Sequence, residues 1–62
     1  MELERINQNY KELDTSNLAL DEVTTIGSCF YEVIEEFHDG SPDFTKDFID
    51  YEDALKYFNK VK

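Results

Sequence analysis

Apolar residues recur with the period of an α-helix in the first part of the chain. They fall at positions i, i+3, i+7 and i+10, which places them on one face of a helix with 3.6 residues per turn: Leu3, Ile6, Tyr10 and Leu13. Two acidic residues near the start and Lys11 near the end suit the helix dipole. We therefore predict an amphipathic helix over residues 2–13, ended by the polar run 14–17, whose side chains bond readily to nearby backbone.

A second helical pattern lies at the C-terminal end. Its apolar stripe consists of Ala54, Leu55, Phe58 and Val61, and its last turns carry Lys56, Lys60 and Lys62. Asp50 is suited to the N-cap position, and Ile49 before it could pack on Ala54 as a hydrophobic staple. This pattern predicts a helix over residues 51–60.

The middle of the chain fits two patterns. Its apolar positions match a helical stripe, but Thr24, Thr25, Gly27 and the run 29–31 favour a strand. In the strand interpretation Tyr31, Val33 and Phe37 face one side of the sheet, and Phe30 and Ile34 face the other with Glu32 and Glu36. Residues 39–43 then form a turn, and residues 44–49 return as the second strand of a hairpin.

We therefore predict an α+β fold in which an N-terminal helix, a β-hairpin and a C-terminal helix follow one another. The alternative is an all-α three-helix bundle, which results if residues 28–37 are helical. Residues 18–26 stay unassigned, either as an extra strand that bends at Gly27 into the next or as a helical turn. With 62 residues, the chain has room for a single small domain over residues 1–62.

The chain is strongly acidic, and its charges are unevenly distributed along the sequence. The net charge is −9, from 15 acidic and 6 basic residues, which predicts repulsion from nucleic acid and anionic membranes and attraction to basic protein surfaces. No lysine or arginine lies between Lys11 and Lys46, whereas many acids do. The acidity is therefore concentrated in the middle of the chain.

The N-terminal residues lack the basic start and apolar core of a signal peptide. No apolar run approaches the roughly 20 residues needed to cross a bilayer, and the lone Cys29 cannot form an internal disulfide. We expect a cytoplasmic protein, located in the host cytoplasm if the gene belongs to a phage.

Candidate chemistry is sparse. Cys29 and His38 are the only thiol and imidazole, and on one strand they would lie roughly 30 Å apart, too far for a nucleophile–base pair. We expect Cys29 to be a small buried residue and His38 a surface residue beside the turn. The chain has no zinc-type ligand spacing, EF-hand loop or glycine-rich phosphate loop. We predict no enzyme activity, no metal and no cofactor.

The remaining hypothesis is binding. In size and charge the chain resembles the class of small acidic bacteriophage-encoded inhibitors of host enzymes, although it shares no specific motif with them. Carboxylates at i and i+2 on a strand lie about 6.6 Å apart, similar to neighbouring phosphates, so we expect mimicry of nucleic acid at a partner's basic site. The alternative is a structural or regulatory interaction module, of which a homodimer is one form, that is acidic only for solubility. The candidate partner-binding residues are Glu22, Tyr31, Glu32, Glu35, Glu36, Asp39, Asp43 and Asp47.

Overall fold

The chain folds into an antiparallel sheet with one helix packed on one of its faces. A computed structural model describes residues 2–61. The elements in chain order are β1 (Glu2–Glu12), β2 (Ser16–Thr25), β3 (Ser28–Phe37), β4 (Phe44–Phe48) and α1 (Tyr51–Lys60). The sheet order is β1-β2-β3-β4, so each strand pairs with its neighbour in sequence and β1 and β4 form the two edges.

Short loops make this meander possible. Only Ile26 and Gly27 separate β2 from β3, and the φ of +93° at Gly27 is a left-handed value that residues with a Cβ rarely adopt. The longer β3–β4 loop contains Gly40, also with positive φ. There the Asp39 carboxylate accepts a hydrogen bond of 2.9 Å from the backbone N–H of Ser41, an Asx-turn that satisfies backbone without a strand partner.

The core lies between α1 and the two central strands. Successive residues of a strand point to opposite faces, and the alternate residues Leu18, Leu20 and Val33 bury against Ala54 and Phe58 of the helix. We call this side the helix-bearing face. Aromatic rings extend the core toward β4. The ring centres of Tyr31 and Tyr51 are 5.4 Å apart in an edge-to-face arrangement, and those of Phe48 and Tyr57 are 5.5 Å apart.

The C-terminal helix confirms the sequence prediction in its bounds and in its buried residues Ala54 and Phe58. Asp50 occupies the N-cap with extended backbone, but its side chain makes no capping hydrogen bond. The predicted staple is wrong, because Ile49 is 80% exposed and points away from the core.

The predicted fold is wrong at its N-terminal end. Residues 2–12 form the edge strand β1, paired with β2, and the apolar stripe that suggested a helix is exposed at Leu3, Ile6 and Tyr10. Register shifts between Glu2 and Glu4 and between Asn7 and Asn9 mark bulges, which break the two-residue alternation of a strand. An isolated helix of this length is marginal, whereas β1 gains a full ladder with β2.

The three-helix alternative is also wrong, because residues 28–37 form β3. The predicted hairpin is confirmed, with β4 ending at Phe48. Residues 18–26, left unassigned from sequence, mostly belong to the central strand β2. Cys29 is exposed and not buried as expected, because it lies near the start of β3 and does not belong to the residues that form the core or pack against it.

Candidate functional site

The second face of the sheet carries no helix or other layer among residues 2–61, and we call it the open face. Strand pairing defines its membership, because directly paired residues point to the same side. Its charged members are Glu2, Arg5, Glu12, Asp21, Glu32, Glu36 and Asp47. Carboxylates therefore dominate the one broad surface that the described chain leaves uncovered.

Arg5 organises the centre of this face. Its guanidinium contacts Glu2 at 3.0 Å, Asp21 at 3.1 Å and Glu32 at 2.8 Å. Asn7 donates a further hydrogen bond of 2.9 Å to Asp21, which is only 8% exposed. The pairing with Glu2, and then with Glu32 and Asp21, raises the pKa of Arg5 above its ordinary value despite partial desolvation. The arginine thus holds together acids that would otherwise repel one another.

A row of carboxylates crosses the sheet at this point. Asp21 on β2 pairs directly with Glu32 on β3, which pairs with Asp47 on β4. Neighbouring strands lie about 4.8 Å apart, and like charges directly opposite each other are destabilising. Arg5 compensates the first two members, but Asp47 has no ion pair among the residues that the structure describes. The row therefore keeps a net negative charge.

The described lysines lie on the other side of the molecule. Lys11 donates a hydrogen bond of 2.8 Å to the carbonyl of Val61 and lies 4.7 Å from the Phe58 ring centre. Lys46 lies over Phe48 at 5.8 Å, and Lys56 and Lys60 belong to α1. Lys62 is outside the described residues. The charge asymmetry noticed along the sequence is, in the fold, an asymmetry between two faces.

Beside the acidic row the open face has a shallow depression of about 180 Å³. Ala19 and Ile34, directly paired between β2 and β3, lie at its centre. The remaining lining residues are Tyr10, Asn17, Glu36 and Asp43. Apolar and acidic groups therefore meet at the end of the face nearest the β3–β4 loop.

The structure divides the candidate partner-binding residues. It places Glu32, Glu36 and Asp47 together on the open face, with Asp43 at the rim of the depression. Asp39 lies in the β3–β4 loop, where hydrogen bonds from Ser41 lower the pKa of its carboxyl group.

Three other candidates lie on the opposite side. Glu22 and Glu35 are paired with helix-side residues of the neighbouring strand, and Glu35 accepts a hydrogen bond of 2.8 Å from the Ser16 hydroxyl. Tyr31 packs against Tyr51, and desolvation, reinforced by Glu22, raises the pKa of its hydroxyl group. These three residues do not join the open-face set.

Sequence reasoning missed the residues that β1 and β2 contribute. Arg5, Tyr10 and Asp21 are part of the open face because these segments are strands. The helical stripe of residues 2–13 concealed Arg5 and Tyr10, and Asp21 belongs to the segment that the sequence left unassigned. The sequence of β2 shows no simple alternation, because its buried residues lie on both faces, with Leu18 and Leu20 on one face and Asp21 and Val23 on the other.

The cysteine thiol and the histidine imidazole contact different residues and not each other. Cys29 and His38 stand at opposite ends of β3; the thiol lies 3.5 Å from Glu22, and the imidazole contacts Asn17 at 2.9 Å. No set of three or more His, Cys, Asp or Glu side chains within residues 2–61 is placed to hold a metal ion. In the same residues, no helix has both the length and the apolar character needed to cross a membrane.

Comparison with known proteins gives no further guide. A scan against protein-family models, a search of curated proteins and a search of solved structures each found no match. The geometry and charge of the open face are therefore the features from which function is inferred.

Proposed function

We propose that this protein is an acidic protein-binding module whose open face occupies the basic, nucleic-acid-binding site of a partner protein. The observation that supports the proposal is the separation of charge by face. Carboxylates crowd the uncovered side of the sheet, and the described lysines lie on the helix-bearing side. A site that binds DNA or RNA presents lysine and arginine to phosphates, and the open face offers such a site anionic groups in their place.

The fold changes how the mimicry is arranged. Along β3 the open-face acids Glu32 and Glu36 are separated by Ile34, so they do not form the i, i+2 row expected from sequence. The row instead runs across the strands through Asp21, Glu32 and Asp47, at the strand spacing of about 4.8 Å. A sheet holds such groups rigidly, which reduces the entropy lost on binding.

The proposal includes a setting. An inhibitor of this kind, encoded by a phage or another mobile element, acts in the host cytoplasm on a host enzyme that handles nucleic acid. Its own net charge of −9 disfavours direct contact with nucleic acid or an anionic membrane. No catalytic step and no cofactor belongs to this mechanism.

Two matched variants test the role of the open face. E36Q/D47N removes two exposed open-face charges, and E4Q/E52Q removes two exposed charges elsewhere; none of the four side chains bonds to another described residue. The immobilised proteins are exposed to lysate of the host cell, and captured proteins are identified and challenged with duplex DNA. Each exposed ion pair contributes up to about 1 kcal/mol, so we expect E36Q/D47N to bind about tenfold more weakly.

The control E4Q/E52Q should bind as the unchanged protein does. Duplex DNA should displace the captured protein, and binding should weaken steeply with salt. Equal capture by the two variants, indifference to DNA, or a complex that is unchanged in about 1 M salt would each contradict the proposal.

The homodimeric interaction module stays a prediction, and the sheet edges give it no support. β1 has two bulges and charged residues of both signs, and β4 is a strand of only 5 residues that contains Lys46 and Asp47. Short, charged or bulged edges oppose strand addition. Sedimentation of the purified protein over a range of concentrations measures its oligomeric state directly.

A further inference from the structure

The depression on the open face combines features that one kind of ligand satisfies together. Its centre, Ala19 and Ile34, is apolar and partly exposed. The side chain of Tyr10, which is 55% exposed, stands beside it as an aromatic wall. Its rim carries the carboxylates of Glu36 and Asp43. An apolar base, an aromatic ring and two anions suit a side chain with a hydrocarbon stem and a cationic head.

The two rim carboxylates are free to meet such a head. Neither Glu36 nor Asp43 forms an ion pair or a side-chain hydrogen bond with any other residue in the range 2–61. By contrast, Asp21 and Glu32 at the centre of the face are already bound to Arg5. The uncompensated charge of the open face among residues 2–61 therefore lies at the depression, at Glu12 and at Asp47.

One lining residue is held in place from within. The side-chain oxygen of Asn17 contacts the imidazole of His38 at 2.9 Å. This contact links the start of β2 to the end of β3 and steadies one side of the depression. A preformed site loses less conformational entropy when it binds a ligand.

We propose that the depression receives an arginine side chain of the partner protein. The methylene stem lies on Ala19 and Ile34, and the guanidinium stacks on Tyr10 and pairs with Glu36 and Asp43. Arginine fits better than lysine because its planar head stacks on aromatic rings and binds carboxylates through two parallel hydrogen bonds. The inference rests on the proposed function, since arginines that normally hold phosphate would be the ones captured.

A titration with small probes tests the depression without the partner. Isotope-labelled protein is followed by NMR in low salt while N-acetyl-arginine amide, N-acetyl-lysine amide or N-acetyl-citrulline amide is added. Citrulline is the uncharged counterpart of arginine. We expect saturable shifts centred on the amides of Tyr10, Ala19, Ile34 and Glu36, with arginine binding more tightly than lysine and citrulline causing none.

Variants separate the contributions of the ring and the charges. Tyr10→Leu should weaken arginine binding about two- to fivefold, the usual effect of an exposed cation–π contact, and Tyr10→Phe should restore it. E36Q/D43N should reduce the preference for arginine over citrulline, whereas the control E4Q/E52Q should leave it unchanged. Shifts centred on the Arg5 cluster, or equal binding of arginine and citrulline, would overturn the inference.

The outcome is distinguishable from failure of the proposed function. If Tyr10→Leu and E36Q/D43N capture a nucleic-acid-binding partner as tightly as the unchanged protein does, the depression has no role in binding, but the proposed function still holds. If arginine binds in the depression but no nucleic-acid-binding partner is captured, the ligand chemistry is confirmed and the proposed mimicry of nucleic acid is contradicted.

Discussion

Replacing Arg5 by methionine should destabilise the fold by about 2 kcal/mol at neutral pH. Its guanidinium contacts Asp21 and Glu32, whose side chains are only 11% and 17% exposed. These two acids are directly paired across β2 and β3. At about 5 Å and an effective dielectric constant of about 20, two like charges repel by about 3 kcal/mol. Water that enters beside the shorter side chain screens part of this repulsion.

The expected loss of about 2 kcal/mol lies between two known limits. Exposed ion pairs contribute about 0–1 kcal/mol, and loss of one partner of a fully buried pair costs about 3–5 kcal/mol. The Arg5 side chain is 34% exposed, which places this cluster between them. For a chain of this size, 2 kcal/mol corresponds to a fall in Tm of about 8–16 °C.

Thermal and urea unfolding, followed by circular dichroism, measure the effect. The second substitution in R5M/E32Q removes the repulsion and should restore more than half of the lost stability. Lys46→Met is the control, because its ammonium group lies 5.8 Å from the centre of the Phe48 ring and has no ion pair within residues 2–61, so its loss should change stability by less than about 0.5 kcal/mol. If R5M loses no more stability than this control, Arg5 does not stabilise the fold by compensating Asp21 and Glu32.

Three further predictions concern the turn, the strand–helix bridge and acid stability. Gly27→Ala should lower the free energy of unfolding by about 1–2 kcal/mol, measured with urea. The added methyl group meets no atom within 4 Å, so only the φ of +93° opposes it. An unchanged urea midpoint would refute this prediction. Lys11→Met should cost about 1 kcal/mol and speed hydrogen exchange at the end of α1, since it removes the cation over Phe58; unaltered exchange would contradict the bridge. Hydrogen bonds from Ser41 hold the pKa of Asp39 below its ordinary 3.8, so its ionised form adds stability above that pH that is lost as the pH falls through the lowered value. The stability difference from Asp39→Asn should therefore be constant at about pH 5–8 and shrink in more acidic buffer, and a pH-independent difference would exclude this contribution.

The sequence predicted an element correctly where the conformation of that element depends mainly on its own residues. The helix 51–60 was predictable because an apolar stripe, acidic residues at its start and lysines at its end all agree. The two faces of β3 were predictable from the alternation of Tyr31 and Val33 with Glu32 and Ile34, and the turn after it from Gly40 and its polar neighbours.

Local signals failed where the state of a segment depends on a distant partner. Residues 2–12 carry a helix-like stripe, yet they pair with β2, and the exposed positions of Leu3 and Ile6 show that the stripe marks no buried face. The same error hid Arg5 and Tyr10 from the candidate site. A bulge shifts the register by one residue and so exchanges the faces beyond it, which periodicity alone does not reveal.

Composition and order of residues by themselves determined a small acidic chain, a C-terminal helix and an interior run without lysine or arginine, and they favoured a hairpin over a middle helix. Only the tertiary structure decided which acids share a surface. Strand pairing sends Glu32, Glu36 and Asp47 to the open face with Asp21, and it sends Glu22, Glu35, Lys11 and Lys46 to the other side. The physical reason is that side-chain direction in a sheet depends on register, and register is set by non-local hydrogen bonds and by the one face that the helix can bury.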